Sequence, residues 1–168
     1  MDNHIHLLLS LNAQSSVSKF MKQVNLTYAL YYRKLYGYFG YLWQGRFKSN
    51  IIDEDSYLLQ CGKYIELNPV RAGLVDEPSK YIFSSYNFCA HGKSDSLVSY
   101  SPAYLGLSDQ PDLRRKRYID FVIDKSIINS ETFAHKLFIG SQDFINKLQE
   151  YYGTKENRIK RGRPHKDE

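Results

Sequence analysis

The chain opens on His4-Ile5-His6 and answers it far downstream with Tyr64-Ile65-Glu66-Leu67-Asn68. In a strand, alternate side chains share a face, so His4 and His6 can turn two imidazoles towards one ion. In a helix, residues four apart lie one turn above each other, which puts Tyr64 and Asn68 on one face. A fold that unites the two motifs must set an extended N-terminal segment beside a helix. It then gathers two nitrogen ligands, an amide oxygen and a phenol. A phenol beside a divalent cation is a nucleophile suited to a phosphodiester.

The periodicities around these motifs sketch the elements. His4 to Leu9 alternates and then becomes continuously apolar, as a half-buried strand entering an interior would. Ser15 and Ser16 can cap a helix running to about Tyr36, with Val17, Phe20, Met21, Val24, Tyr28, Tyr31, Tyr32 and Leu35 at helical spacing and Gly37 at its end. Leu42 to Ile52 alternates again, with Trp43, Phe47 and Ile51 on one face and Gln44, Arg46 and Lys48 on the other, which predicts an edge strand. Asp53-Glu54-Asp55-Ser56 opens a second helix, and Pro69 is expected to stop it, leaving Tyr64 and Asn68 in its last two turns. The polar run Phe83 to Ser101 reads as a connector. Two more helices are predicted, from about Asp112 to Asp124 and from Ser141 to Tyr152. Residues 153–168 have almost no apolar content and are expected to be disordered alone.

Length and charge limit what such a chain can do. Its 168 residues suffice for one domain with a real core, or one with an appendage. No signal peptide and no membrane-length apolar run is present, so no membrane partner is expected. Cys61 and Cys89 fit neither a disulfide framework nor a metal spacing, and a reducing cytoplasm is the natural compartment. The net charge of +5 is concentrated at the end: residues 153–168 carry six Lys/Arg against three Asp/Glu on a nearly balanced body. That distribution favours a nucleic-acid partner over an acidic small molecule. Some of the fifteen tyrosines and nine phenylalanines can stack unpaired bases, although most such rings belong in a core.

With these residues assembled, the chain resembles the single-tyrosine HUH transposases, which mobilise insertion sequences through single-stranded DNA, and within them the REP-associated branch. The signature appears as Met1-Asp2-Asn3-His4-Ile5-His6-Leu7-Leu8, then Leu42-Trp43-Gln44-Gly45-Arg46-Phe47, then the nucleophile helix and its exit from Tyr64 to Val75, with Ser84-Ser85-Tyr86 beyond. Together the blocks cover roughly residues 1–90.

The resemblance implies an α/β (α+β) fold, a ferredoxin-like antiparallel sheet with helices on one face, over residues 1–92. A helical C-terminal extension, 93–152, and the basic tail would follow. It implies His4, His6 and Asn68 as ligands of Mg²⁺ or Mn²⁺, and Tyr64 as the nucleophile that forms a 5′-phosphotyrosine link to single-stranded or hairpin DNA. In that family a strand and a helix, and usually part of a further strand, precede the histidine motif. The chain is therefore expected to be N-terminally truncated, with an exposed sheet edge that a homodimer could cover.

Lys19, Lys22, Arg46 and Lys48 are candidates for holding DNA phosphates. Arg161 and Arg163, within Arg161-Gly162-Arg163-Pro164, match the core of AT-hook motifs that enter A·T minor grooves. Arg114 to Arg117 can grip DNA or simply solvate a helix, and Glu66, pointing away from the Tyr64 face, is expected to be solvated. Two other readings compete. One is a truncated, inactive remnant that only binds DNA. The other is a metal hydrolase of small molecules, which lacks a general-base carboxylate near the histidines and leaves the basic tail without a purpose.

Overall fold

The computed structural model describes residues 1, 3–53, 56–124, 133 and 136–155. They fall into two compact units, Leu8–Ser49 and the remainder, which joins Met1–Leu7 to the chain from Asn50 onward.

The Leu8–Ser49 unit is built on α1 (Val17–Tyr36). Ser16, in extended geometry, accepts a hydrogen bond from the Lys19 N–H at 3.4 Å. Gly37, at φ 61°, turns the chain out while its N–H bonds to Arg33 O at 2.9 Å. Arg33 and Lys34 put positive charge at the negative end of the helix dipole. Of this helix only Met21 is buried, and Leu26, Leu30, Tyr31, Leu35 and Tyr36 are all more than half exposed. Trp43 folds back on α1, with its ring 5.7 Å from that of Tyr28 and its Nε1–H donating to Asn25 O at 3.0 Å. This anchoring explains why the strand predicted from Leu42 does not form: the chain bends over 42–45 and stays irregular until Ile51.

The second unit runs β1 (Ile51–Ile52), α2 (Ser56–Arg71), a 3-10 turn (Pro78–Lys80), α3 (Tyr86–His91), α4 (Pro102–Leu105), α5 (Pro111–Ile123), β2 (Phe138–Ile139) and α6 (Gln142–Tyr151). Its core is a cluster of Tyr86, Ala90, Tyr104, Tyr118 and Val122, against which Leu59 and Leu67 of α2 pack. Tyr104 meets Tyr118 edge to face at 5.1 Å and donates its hydroxyl to Cys89 O at 2.7 Å, so the polar tip of a core tyrosine is satisfied. Ser141 caps α6 by accepting from the Phe144 N–H, and Asp53, just past β1, accepts from both the N–H and the hydroxyl of Ser141.

The architecture is a mixture of helices and a small sheet, and it departs from the expectation in four further places. Among the described residues the sheet is one parallel pair, Ile51 opposite Phe138 and Ile52 opposite Ile139, where an antiparallel ferredoxin-like sheet was expected. His4 to Leu9 forms no regular element and pairs with no described strand, so its alternation does not become a ladder. Pro69 lies inside α2, which continues to Arg71. Proline removes only its own donor, and as an acceptor Pro69 O still takes the Leu74 N–H at 3.0 Å while Asn68 O takes Ala72 N–H at 2.9 Å. The predicted connector 83–101 contains α3, whose buried Tyr86 and Ala90 are one turn apart. Among the described residues no helix is long and apolar enough to cross a membrane.

Candidate active site

The last two turns of α2 carry Tyr64 and Asn68 on one face, and the N-terminal segment meets that face. Asn68 Nδ2 donates to His6 Nε2 at 2.9 Å. The His6 ring stands edge-on to Tyr64 at 6.0 Å between centroids, and edge-on to His4 at 4.9 Å. On the far side His4 Nδ1 bonds to Asn3 Oδ1 at 2.6 Å, which fixes the ring and leaves its Nε2 free to ligate. The four residues singled out in the sequence, His4, His6, Tyr64 and Asn68, thus converge within one unit. The strand expected to align the two histidines does not form, yet the His4 and His6 rings still lie side by side.

Burial holds the His6 imidazole below its usual pKa, and the charges of His4 and of the N-terminus push it in the same direction. A neutral ring keeps its lone pair for a metal. Two imidazoles and an amide oxygen form a donor set for a borderline or hard divalent ion. Asn68 now offers its nitrogen to His6, and a half-turn of the amide would offer its oxygen to an ion instead. Among the described residues no three His, Cys, Asp or Glu side chains gather, so this set contains no carboxylate.

Two neighbours of Tyr64 were not singled out in the sequence. The Arg71 guanidinium lies over the Tyr64 ring, 5.4 Å from its centroid, and the Phe133 ring lies 4.9 Å from it. Arg71 follows Tyr64 by seven residues, two helical turns, and that spacing was the available signal. Phe133 left no signal.

Glu66 corrects the expectation that it is solvated. It is 2 % exposed, and its two carboxylate oxygens accept from Ser85 Oγ at 2.8 Å and from Tyr118 Oη at 2.7 Å. Burial pushes its carboxyl up to about 7, against the opposing pull of these two bonds. Arg114 and Arg117 are also engaged within the fold, donating to carbonyls of Ser108, Asp109 and Leu107. Lys19, Lys22, Arg46 and Lys48 belong to the Leu8–Ser49 unit, all exposed. Arg161 and Arg163 lie outside the described residues, as does most of the basic tail.

Comparison with curated proteins gave no match, and neither did comparison with solved structures. The family model described as "Transposase IS200 like" matches residues 1–68. That span ends on Asn68 and takes in both histidines and Tyr64. Over residues 1–68, the segment that carries the site, the chain is similar to the IS200-like transposases.

Proposed function

We propose that this chain is a transposase that cuts single-stranded DNA with Tyr64 as nucleophile. The observation that carries the reading is the meeting of His6 with Asn68 at 2.9 Å beside the Tyr64 ring, since these residues come from two distant motifs. His4, His6 and Asn68 would hold the metal, Mg²⁺ or Mn²⁺. Such an ion supplies charge neutralisation and orientation at a scissile phosphate when bound. Tyr64 Oη bonds to phosphorus as the bond from phosphorus to the 3′ oxygen breaks. The phenol proton leaves to solvent, and the departing 3′ oxygen takes one up. The product is a 5′-phosphotyrosine with a free 3′-hydroxyl, a covalent intermediate that keeps the phosphoryl group ready for rejoining. Arg71, over the Tyr64 ring, is placed to pair with a phosphate oxygen beside the nucleophile.

Lys19, Lys22, Arg46 and Lys48 would hold the rest of the DNA, a single strand or hairpin, by its phosphates, with Arg161 and Arg163 adding attraction from the tail. The Leu42-Trp43-Gln44 block and the run from Tyr64 to Val75 favour the REP-associated branch of the family. The decisive experiment is adduct formation. With Mn²⁺ and a hairpin oligonucleotide, the wild-type chain should give a denaturant-resistant protein–DNA species. Tyr64→Phe, which removes one hydroxyl and keeps the ring, should give none while binding the oligonucleotide as before. An adduct that persists in the Phe variant would falsify the assignment of Tyr64.

A further inference from the structure

The two polar side chains buried on α2 sit on the side of that helix away from Tyr64. At 100° per residue, Glu66 lies about half a turn of the helix from the direction shared by Tyr64 and Asn68, and Lys63 falls on the Glu66 side. Neither is left without partners. Glu66 takes hydrogen bonds from Tyr118 of α5 and from Ser85 at the start of α3. Lys63, 3 % exposed, donates to Asp124 O at 2.7 Å and lies over the Phe121 ring at 4.9 Å, both at the end of α5. Apolar contacts between helices permit some rotation and sliding. Buried hydrogen bonds with fixed directions do not, because a small rotation leaves a buried donor or acceptor unsatisfied.

We propose that Lys63 and Glu66, gripped by α5 and by Ser85, are positioning residues that fix the rotation of α2 about its axis and so aim Tyr64 and Asn68 at the histidines. The proposal rests on the reading of Tyr64 as nucleophile. It makes α5, which lies outside the matched span 1–68, a working part of the catalytic unit. The gripping bonds lie on the side of α2 away from Tyr64, so their loss should act on the geometry of the attack and not on substrate affinity.

The test uses the full chain, Mn²⁺ and a hairpin oligonucleotide, and follows the rate of adduct formation against DNA concentration. Tyr118→Phe removes one bond to Glu66, and Lys63→Met removes the bond to Asp124 while keeping the stem. Each should lower the saturating rate on the order of ten- to a hundredfold, the scale set by misplacing a reacting group by up to about an ångström. The half-saturating DNA concentration should stay where it was. Glu66→Gln keeps the shape and both hydrogen-bonding sites and should recover most of the rate, which Glu66→Leu should not. Circular dichroism establishes which variants fold. If Tyr118→Phe does not, Lys63→Met and Ser85→Ala carry the test.

Folded variants with the wild-type rate, or with altered DNA affinity and an unaltered saturating rate, would overturn the proposal. If the wild type forms no adduct at all, the proposed function fails and the clamp is judged separately by NMR. In that case the ¹⁵N shifts of His6 Nε2 and of the Asn68 amide should change in Tyr118→Phe. Unchanged shifts would overturn it.

Discussion

α1 and α2 are helices of similar length held in opposite ways. α1 has the better local signals: a serine cap, a left-handed glycine exit and basic residues in its last turn, yet only Met21 is buried. α2 has a proline inside it, and Lys63 and Glu66 interrupt the apolar stripe that faces α3 and α5. Nevertheless α2 is the helix bound into a core, through Leu59, Leu67 and the buried hydrogen bonds of its two charged residues. Capping and periodicity decide whether a helix forms. What a helix is worth to the fold depends on what covers it, and chemistry that needs fixed geometry belongs on the covered one.

The sharpest way to break this contrast is to cut aromatic side chains from each unit. Tyr86→Ala empties a site 2 % exposed in the cluster against which α2 packs and should cost about 3–5 kcal/mol of stability. Tyr31→Ala, at a site 58 % exposed on α1, should stay within about 0.5 kcal/mol. Urea denaturation of the two variants reads the difference, and equal losses would show that α1 is held as firmly as α2.

The pH dependence of stability should also separate the two units. The Glu66 carboxyl titrates at about 7 in the folded chain, above its ordinary value of 4.5. Between those values the folded state holds the proton that the unfolded state has released. The contribution of Glu66 is therefore complete below pH 4.5, falls as pH rises and is lost above 7, by up to about 3 kcal/mol. The melting temperature of Glu66→Gln should accordingly fall less between pH 5 and pH 8 than that of the wild type. Parallel curves would place the carboxyl in a wetter environment than the fold indicates.

A smaller effect belongs to the exposed unit. Lys19→Ala with Lys22→Ala should weaken binding of single-stranded DNA and flatten its dependence on the logarithm of salt concentration by roughly 1 to 1.5. The rate at saturating DNA should not change. A lowered rate would mean that α1 takes part in chemistry as well as in holding DNA. Smallest is the cap: Ser16→Ala should cost on the order of 0.5–1 kcal/mol, at the low end because its bond to the Lys19 N–H is long at 3.4 Å.

The parts of this molecule that were legible in the sequence are those set by local rules. Ser16 and Gly37 bound α1 where their conformational preferences put them, and Ser141 does the same for α6. The spacing of His4, His6, Tyr64 and Asn68 anticipated that these side chains lie near one another, because alternation and helical turns are properties of the chain itself. The misses came where a distant partner decides. β2 is two residues long, too short for a period to show, and its parallel partner is far away in sequence. α3 was hidden among Ser, Asn, Gly and His, although Tyr86 and Ala90 were spaced as one buried face. Glu66 points away from the Tyr64 face, which suggested solvent, but that side of α2 is the buried one. Its place in the stripe Leu59, Lys63, Glu66 and Val70 was the better guide, and its partners Ser85 and Tyr118 could not be read from a single helix.

The parallel pair of β1 and β2 bears on how the chain reaches this structure. Ile51 opposite Phe138 joins segments that the intervening helices separate, and the ladder includes bonds from Ile51 N–H to Leu137 O and from Asp53 N–H to Ile139 O. Closing a loop of that length costs about 4 kcal/mol in chain entropy, more than a few net hydrogen bonds return. The pair is therefore expected to form late, after α2, α3 and α5 have condensed and drawn its ends together. In native-state hydrogen exchange the amides of Ile51 and Asp53 should open well before those in the middle of α5, and the strands should part without releasing the helix that carries the tyrosine.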